Sequence, residues 1–530
     1  MPSLDLADAA VAVHVAAQLV DSGLASIGSV DRDQVLAYDI AHAASAIAAA
    51  RVMLGYAERG DSEARLACAF IADAIHDIAT RVLGREDLWG VAHGALDATR
   101  DFVRPYRAPS FVASLATVEG PRHLDEFFEL VRDSFRRFSD DKIRPVAEHV
   151  HRSNADVPED IISGLAALGA FGLSIPEEYG GGASGAANDY LAMVVATEEL
   201  SRGSLGIGGS LITRPEILTR ALVRGGTSAQ KSRWLPALAS GDTLVAVAVT
   251  EPDYGSDVAG VRVSATRHGD GWLINGTKTW CTFAARADVL MLLARTDPST
   301  TDHKGLSCFI VPKPRGDGHG FAFTQTAGDD GGAPGGARVE GRAIDTIGYR
   351  GMHSYEIAFD RWWVSHENLI GGDHGIGRGF YLQMEGFENG RLQTAARAVG
   401  LMQAAYEAAR TYAADRVVFG TPIAEYELTR AKLGRMSFVI TGARQFAYHV
   451  SELMSRGDGA LEASMVKAYV CRAAEWVTRE ALQIHGGMGY AEEYAVSRYF
   501  VDARVLSIFE GADETLCLKV IARRLLESRV

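Results

Sequence analysis

The chain changes its hydrophobic period twice, and that alternation limits the folds open to it. From about residue 119 to 240, apolar residues recur at helical spacing, as in "LDEFFELVRDSFRRF" and "IISGLAALGAFGL", with Gly-rich breaks such as "YGGGASG". From about 241 to 372 the pattern becomes short β-rich runs, "TLVAVAVT", "VRVSAT", "VLMLLART", "LSCFIVP" and "YEIAFDRWWV", separated by the turn signals "HGDG" and "INGT". From 373 onward long helical periodicity returns, as in "AARAVGLMQAAYEAARTYAADR". The pattern predicts a multi-domain α+β protein: a helical domain over 119–240, a small antiparallel β domain over 241–372, and a C-terminal four-helix bundle over 373–530. Within the β block, "RGDGHG" and "AGDDGGAPGGA" carry so much Gly and Asp that a loosely packed insertion is expected there.

Residues 1–118 read as an extra N-terminal helical domain. Its segment "YAERGDSEARLACAFIADAIHDIATRVLG" runs in phase with "MSRGDGALEASMVKAYVCRAAEWVTREALQIHGG" near the C-terminus, allowing a two-residue gap. Two readings stay open, an internal duplication or a chance likeness of two Ala-rich helices. The first copy has "GREDLWG" where the second has "IHGGMGY", so the chemistry the glycines serve is expected only in the second.

The formal charge of −14, with no Lys/Arg-rich run, offers no footprint for a phosphate backbone, so no nucleic-acid partner is expected. Five scattered cysteines without a CxxC pair fit a reducing compartment and argue against a disulfide or zinc framework; no metal site is expected. The N-terminal stretch lacks the basic start of a signal peptide, and Asp5, Asp8 and His14 interrupt it as a span. The expectation is a soluble cytoplasmic protein with no membrane partner.

Three stretches carry chemistry: "AVTEPDYGSDVAG" (248–260), "QIHGGMGYAEEYAVSRYFVD" (483–502) and "IFEG" (508–511). Together, in this order around a β block, they resemble the acyl-CoA dehydrogenase family over about residues 120–530. The resemblance implies that Glu510 is the general base that removes the proton α to a thioester, with hydride passing from the β carbon to FAD. A base for so weak a carbon acid needs a carboxylate in apolar surroundings, which Ile508 and Phe509 can supply, while Gly511 lets backbone pass close to a flat ligand.

For FAD, the resemblance assigns Thr250 to the flavin's pyrimidine edge, Trp280 to packing on its ring and Thr282 to the neighbourhood of N5. Arg416 and Phe419 in "DRVVFG", with Gln483, Gly486 and Gly487, would reach the ADP part of a cofactor shared with a neighbouring subunit. Ser256 would bond the pantetheine arm of CoA, and Glu388 and Arg391 in "FENGR" would meet its adenosine-phosphate end. Some relatives carry the base just before that arginine; here Gly390 stands there, leaving Glu510. Other departures are Tyr254, where a small residue is usual, and Glu427, Val501, Ala512 and Glu514.

The flanking motifs and the N-terminal extension resemble members that oxidise a short branched dicarboxylic acyl-CoA and pass electrons to an electron-transfer flavoprotein. A distal carboxylate in the pocket needs a cation or several donors, since burying it alone is prohibitive. Arg214, His353 and Tyr355 are the candidates, each also readable as an ordinary structural contact. A short branched-chain monoacid dehydrogenase, an acyl-CoA oxidase, and a flavoprotein with DNA affinity or a protein-binding role are the alternatives. The extra N-terminal domain is expected to cover the surface through which other members pair dimers into tetramers, leaving a homodimer.

Overall fold

The twofold change of hydrophobic period becomes a change of architecture. In the computed structural model, which describes residues 6–185, 189–316 and 318–529, helices occupy both ends of the chain and a single large sheet lies between them. The principal elements are α1 (Leu6–Ser26), α2 (Gln34–Ala57), α3 (Asp61–Val82), α4 (Asp189–Gly203) and α5 (Thr213–Gly225), then β1 (Val245–Ala248), β2 (Ser264–His268), β3 (Gly271–Thr282), β4 (Val289–Arg295), β5 (Leu306–Pro312), β6 (Gly320–Ala327), β7 (Pro334–Ile344) and β8 (Ser354–Ser365). Long helices follow: α6 (Gly379–Asp415), α7 (Glu427–Ser455), α8 (Ala460–His485) and α9 (Ala495–Leu506). The chain divides into two units, one formed by Met1–Arg137, Glu198–Gly203 and Arg391–Val530, the other by Phe138–Thr197 and Ser204–Gly390.

In the first unit, the helix pair α2–α3 packs on the pair α7–α8. Gly442 of α7 makes the close approach possible: a Cβ there would lie 2.3 Å from the Phe70 ring of α3. Phe70 in turn meets Tyr469 of α8 edge to face at 5.8 Å, and Arg435 of α7 donates to Asp73 of α3 at 3.0 Å. Both pairs are long helices joined by a short Arg-Gly-Asp turn, so the two segments aligned in the sequence adopt the same local form. Helices α1 and α2 are long and apolar enough to cross a bilayer, a length the sequence reading did not assign to them. Their apolar stretches are 50% and 67% buried against protein.

The second unit holds the sheet, in the order β1-β4-β2-β3-β8-β7-β6 with β5 also paired to β4. It is mixed rather than purely antiparallel: β1 runs parallel to β4 with Val245 beside Val289, and β2 meets β4 in parallel at Ser264 and Arg295. A parallel pair needs a long crossover. Residues 249–288 supply it, and the "TEPDYGSDVAG" motif lies on that crossover. The "AGDDGGAPGGA" stretch is not loose; it closes the β6–β7 hairpin, with Gly328 N–H donating to the Ala333 carbonyl at 3.0 Å and the Asp329 carboxylate accepting from Thr326 N and Oγ1 at 2.6 Å. The "RGDGHG" expectation includes Asp317, which lies outside the described residues.

Candidate active site

Within the second unit, the segment that opens the crossover is irregular backbone held by buried charge. Lys278 of β3 is fully buried; its Nζ donates to the Val249 carbonyl at 2.7 Å and to Glu251 Oε1 at 2.8 Å. Glu251 also accepts from the backbone N–H groups of Arg262 and Val263 at 2.7 and 2.8 Å, tying both ends of residues 251–263 to one carboxylate. Burial pushes the Lys278 ammonium down, against the opposing pull of the Glu251 carboxylate. Arg295 of β4 completes the clasp, donating to the carbonyls of Val261 and Ala259. The loop so held presents half-buried Thr250 and exposed Ser256. Tyr254, the departure noted in the sequence, is accommodated by Gly260, where a Cβ would lie 2.6 Å from the Tyr254 ring.

Beside Thr250, β3 carries a bulge. The register with β8 slips between Lys278 and Cys281, and Trp280 in that slip has φ +58° and a side chain 56% exposed. A core aromatic would be covered; this one is turned outward in a conformation that costs about 1–3 kcal/mol. Thr279 N–H donates to the Thr250 carbonyl at 2.8 Å, and the Thr282 hydroxyl lies 3.1 Å from that of Ser354. The buried Cys281 thiol beneath is pushed up to about 12 by desolvation and is inert.

Glu510 sits in a tight turn of the first unit between α9 and the terminal helical segment. Its φ is +54° and that of Gly511 is +100°, two successive left-handed residues. Asp513 N–H closes the turn onto the Ser507 carbonyl at 3.1 Å, and buried Lys467 of α8 donates to the Gly511 carbonyl at 2.6 Å. The guanidinium of fully buried Arg397 lies 4.7 Å from the centre of the Phe509 ring. The apolar wall expected from the sequence is only half present within this chain: Phe509 is half-buried, but Ile508 is 54% exposed. What surrounds the turn instead is buried cation, because a short loop crossing helix ends leaves carbonyls that need donors. Lys467, lowered by burial, interacts electrostatically with Glu510, Asp513 and Arg391.

Arg391 lies deeper than Glu388 of the same motif. It is 9% exposed, with Nη1 donating to Ser464 of α8 at 3.2 Å, among the buried charges near Lys467. Glu388, three residues earlier, is half-buried in the second unit. Elsewhere in the first unit, Arg416, Phe419 and Gln483 are exposed, Phe419 to 96% with φ +52° at a hairpin tip. Gly486 and Gly487 are exposed too, and a Cβ on either would meet nothing within 4 Å. Bare backbone, an arginine and an unsupported aromatic suit a large flat ligand bearing phosphates.

The three carboxylate candidates, all in the second unit, fare differently. Arg214 of α5 is buried at 6% exposure and donates to the Tyr349 hydroxyl at 3.3 Å. His353, with φ +39°, has Nε2 3.2 Å from the Asp156 carboxylate, an arrangement that already supplies it with an anion. Tyr355 is 1% exposed and its hydroxyl donates to the Gly318 carbonyl at 3.1 Å. The sequence reading missed Lys278, Glu251, Arg397 and Lys467. The signal for the lysines was present, since "TKTW" and "SMVKAYV" set a cation inside an apolar run, a position that is rarely filled unless paired.

Comparison with known proteins agrees with this anatomy. The acyl-CoA dehydrogenase N-terminal, middle and C-terminal domain models match residues 125–242, 246–362 and 377–526. The chain belongs to the acyl-CoA dehydrogenase family and is an FAD-dependent oxidoreductase acting on an acyl-CoA. It is 44% identical over 442 residues to (2S)-methylsuccinyl-CoA dehydrogenase of Cereibacter sphaeroides, covering 81% of this chain and 77% of that one. It is 32% identical to the mitochondrial short-chain specific acyl-CoA dehydrogenase of Bos taurus, over 78% of this chain and 93% of that one. The solved structure of glutaryl-coenzyme A dehydrogenase with glutaryl-CoA superposes with a TM-score of 0.69 at 30% identity, over 76% of this chain and 96% of that one.

Proposed function

We propose that the protein oxidises (2S)-methylsuccinyl-CoA to mesaconyl-CoA, the α,β-dehydrogenation of the ethylmalonyl-CoA pathway, with Glu510 as base and an electron-transfer flavoprotein as acceptor. The observation that carries the chemistry is Glu510 itself, a carboxylate presented on left-handed backbone beside a bare glycine. Bound FAD supplies the acceptor of the two electrons. The residues that would hold its flavin are Thr250, Trp280 and Thr282, while Arg416, Phe419, Gln483, Gly486 and Gly487 would reach the ADP part of the cofactor of a neighbouring subunit. Exposed Trp280 on its bulge and the two glycines with open space above them fit such a group.

For the diacid, the support is the 44% identity to an enzyme of that name, against 32% to a short-chain monoacid enzyme, together with the buried cation of Arg214. A guanidinium beside the acyl group would favour a carboxylate over an alkyl chain. Ser256 and Glu388 remain the CoA contacts of this reading. We assign the protein to the cytoplasm as a homodimer; a full-length tetramer in light scattering would overturn the dimer. The deciding experiment is anaerobic bleaching of the flavin by methylsuccinyl-CoA, isobutyryl-CoA and butyryl-CoA. Rapid bleaching by the diacid thioester alone is expected. Bleaching by the monoacids would make it a short-chain dehydrogenase and remove the role given to Arg214.

A further inference from the structure

The donors that hold the far post of the Glu510 turn come from outside the family core. Asp513, three residues past Glu510 and 7% exposed, is the residue whose N–H closes the turn onto Ser507. Its carboxylate oxygen Oδ2 accepts from the Tyr38 hydroxyl at 2.5 Å and lies 3.0 Å from His42 Nε2, both on α2. Cys517 Sγ lies 3.4 Å from the same His42 nitrogen, and the Tyr38 and His42 rings meet edge to face at 4.7 Å. Helix α2 lies wholly before residue 125, where the family models begin. A second tie, the surface pair of Lys519 with Asp31, joins the turn before α2 to the terminal segment but is exposed and worth little.

Two consecutive left-handed residues, one of them a glutamate, persist only where the surroundings over-determine them. Lys467 holds the carbonyl of Gly511 and Arg397 covers Phe509; Asp513 holds the exit, and among the described residues both of its side-chain hydrogen-bond donors are on α2. Without them the buried Asp513 carboxylate loses both hydrogen-bond donors, and moving it toward water to regain them opens the Ser507 closure and shifts Glu510. We propose that Tyr38 and His42 are positioning residues for the base: the N-terminal helices not only cover helical surface but set the geometry of proton removal. This rests on the reading of Glu510 as the base.

The test uses the full-length, FAD-loaded enzyme with methylsuccinyl-CoA, unlabelled and deuterated at the α carbon. Tyr38→Phe and His42→Gln are expected to retain FAD and leave KM within about twofold, while kcat falls about tenfold to a hundredfold and the deuterium isotope effect rises, because a misplaced base makes proton removal limiting. Tyr38→Phe removes a single oxygen, so it reports even if the histidine variant does not fold. Unchanged kcat and isotope effect in folded, flavin-loaded Tyr38→Phe and His42→Gln would overturn the proposal. Glu510→Gln run beside them separates the two readings: residual turnover there sinks the base assignment, whereas a dead Glu510→Gln with wild-type α2 variants sinks only the positioning role. Stoichiometric zinc in the isolated protein, lost in Cys517→Ser, would also overturn it by making His42, Asp513 and Cys517 ligands instead of a hydrogen-bonded set.

Discussion

Two irregular segments, 250–263 in the sheet unit and 507–513 in the helical unit, are each held by a buried lysine, yet the two lysines do different work. Lys278 meets a carboxylate, Glu251, which gathers two further backbone donors, so the strut is close to neutral and self-contained. Lys467 donates to a neutral carbonyl, that of Gly511, and its interactions with the Glu510 and Asp513 carboxylates act through space rather than through a direct hydrogen bond. The first arrangement suits a loop that must only be rigid. The second, with no carboxylate in direct contact, leaves the lysine free to act through space on the proposed base.

The largest effect that sharpens this contrast is at the base. Glu510→Gln should keep FAD and bind acyl-CoA while turnover falls by roughly 10²–10⁴-fold, read by flavin bleaching at saturating substrate. Next come the lysines. Lys278→Met strands the Glu251 carboxylate and should lower the unfolding free energy by about 3–5 kcal/mol in a urea titration. Lys467→Met takes a direct donor only from a neutral carbonyl, should cost about 1–3 kcal/mol, and should act mainly on kcat. Equal stability losses, or an untouched kcat in Lys467→Met, would break the comparison.

Smaller effects distinguish the glycines of the two segments. Gly511→Ala adds a Cβ 3.0 Å from Leu516 at φ +100° and should lose about 1–3 kcal/mol together with activity, whatever else is changed. Gly260→Ala meets the Tyr254 ring at 2.6 Å and, less tightly, the end of the Asp257 side chain at 3.0 Å, so Tyr254→Ala should restore most of its loss; failure of that rescue in thermal melts would mean that the glycine serves the backbone. The smallest effect is on pH. Burial lowers His42 below its ordinary 6.5, against the pull of Asp513 and with Arg472 and Arg81 pushing the same way. The unfolded chain therefore takes up that proton first, and stability should fall as the pH drops from 7 to 5, less steeply in His42→Gln. Asp513, held below 3.8 by its donors, adds a loss only at more acid pH.

The helical, β, helical order and the Glu510 and Trp280 motifs could be read from the chain because they rest on local period and on short contiguous patterns. The mixed sheet could not be read, since the β1–β4 pairing spans some forty residues and no local signal records which strand lies beside which. The Gly-rich hairpin after β6 was misjudged for a related reason: composition predicts looseness, but Asp329 folds back on Thr326 and the β8 strand beside β7 supplies the rest.

The residues alone determined the class of reaction, because a glutamate between a phenylalanine and a glycine, with two long signatures in order before it, needs no partner to be recognised. Tertiary structure decided what holds that glutamate. Buried lysines and arginines, and a histidine 471 positions from Asp513, act through space, and charge buried in a fold takes its meaning from the partner it meets there.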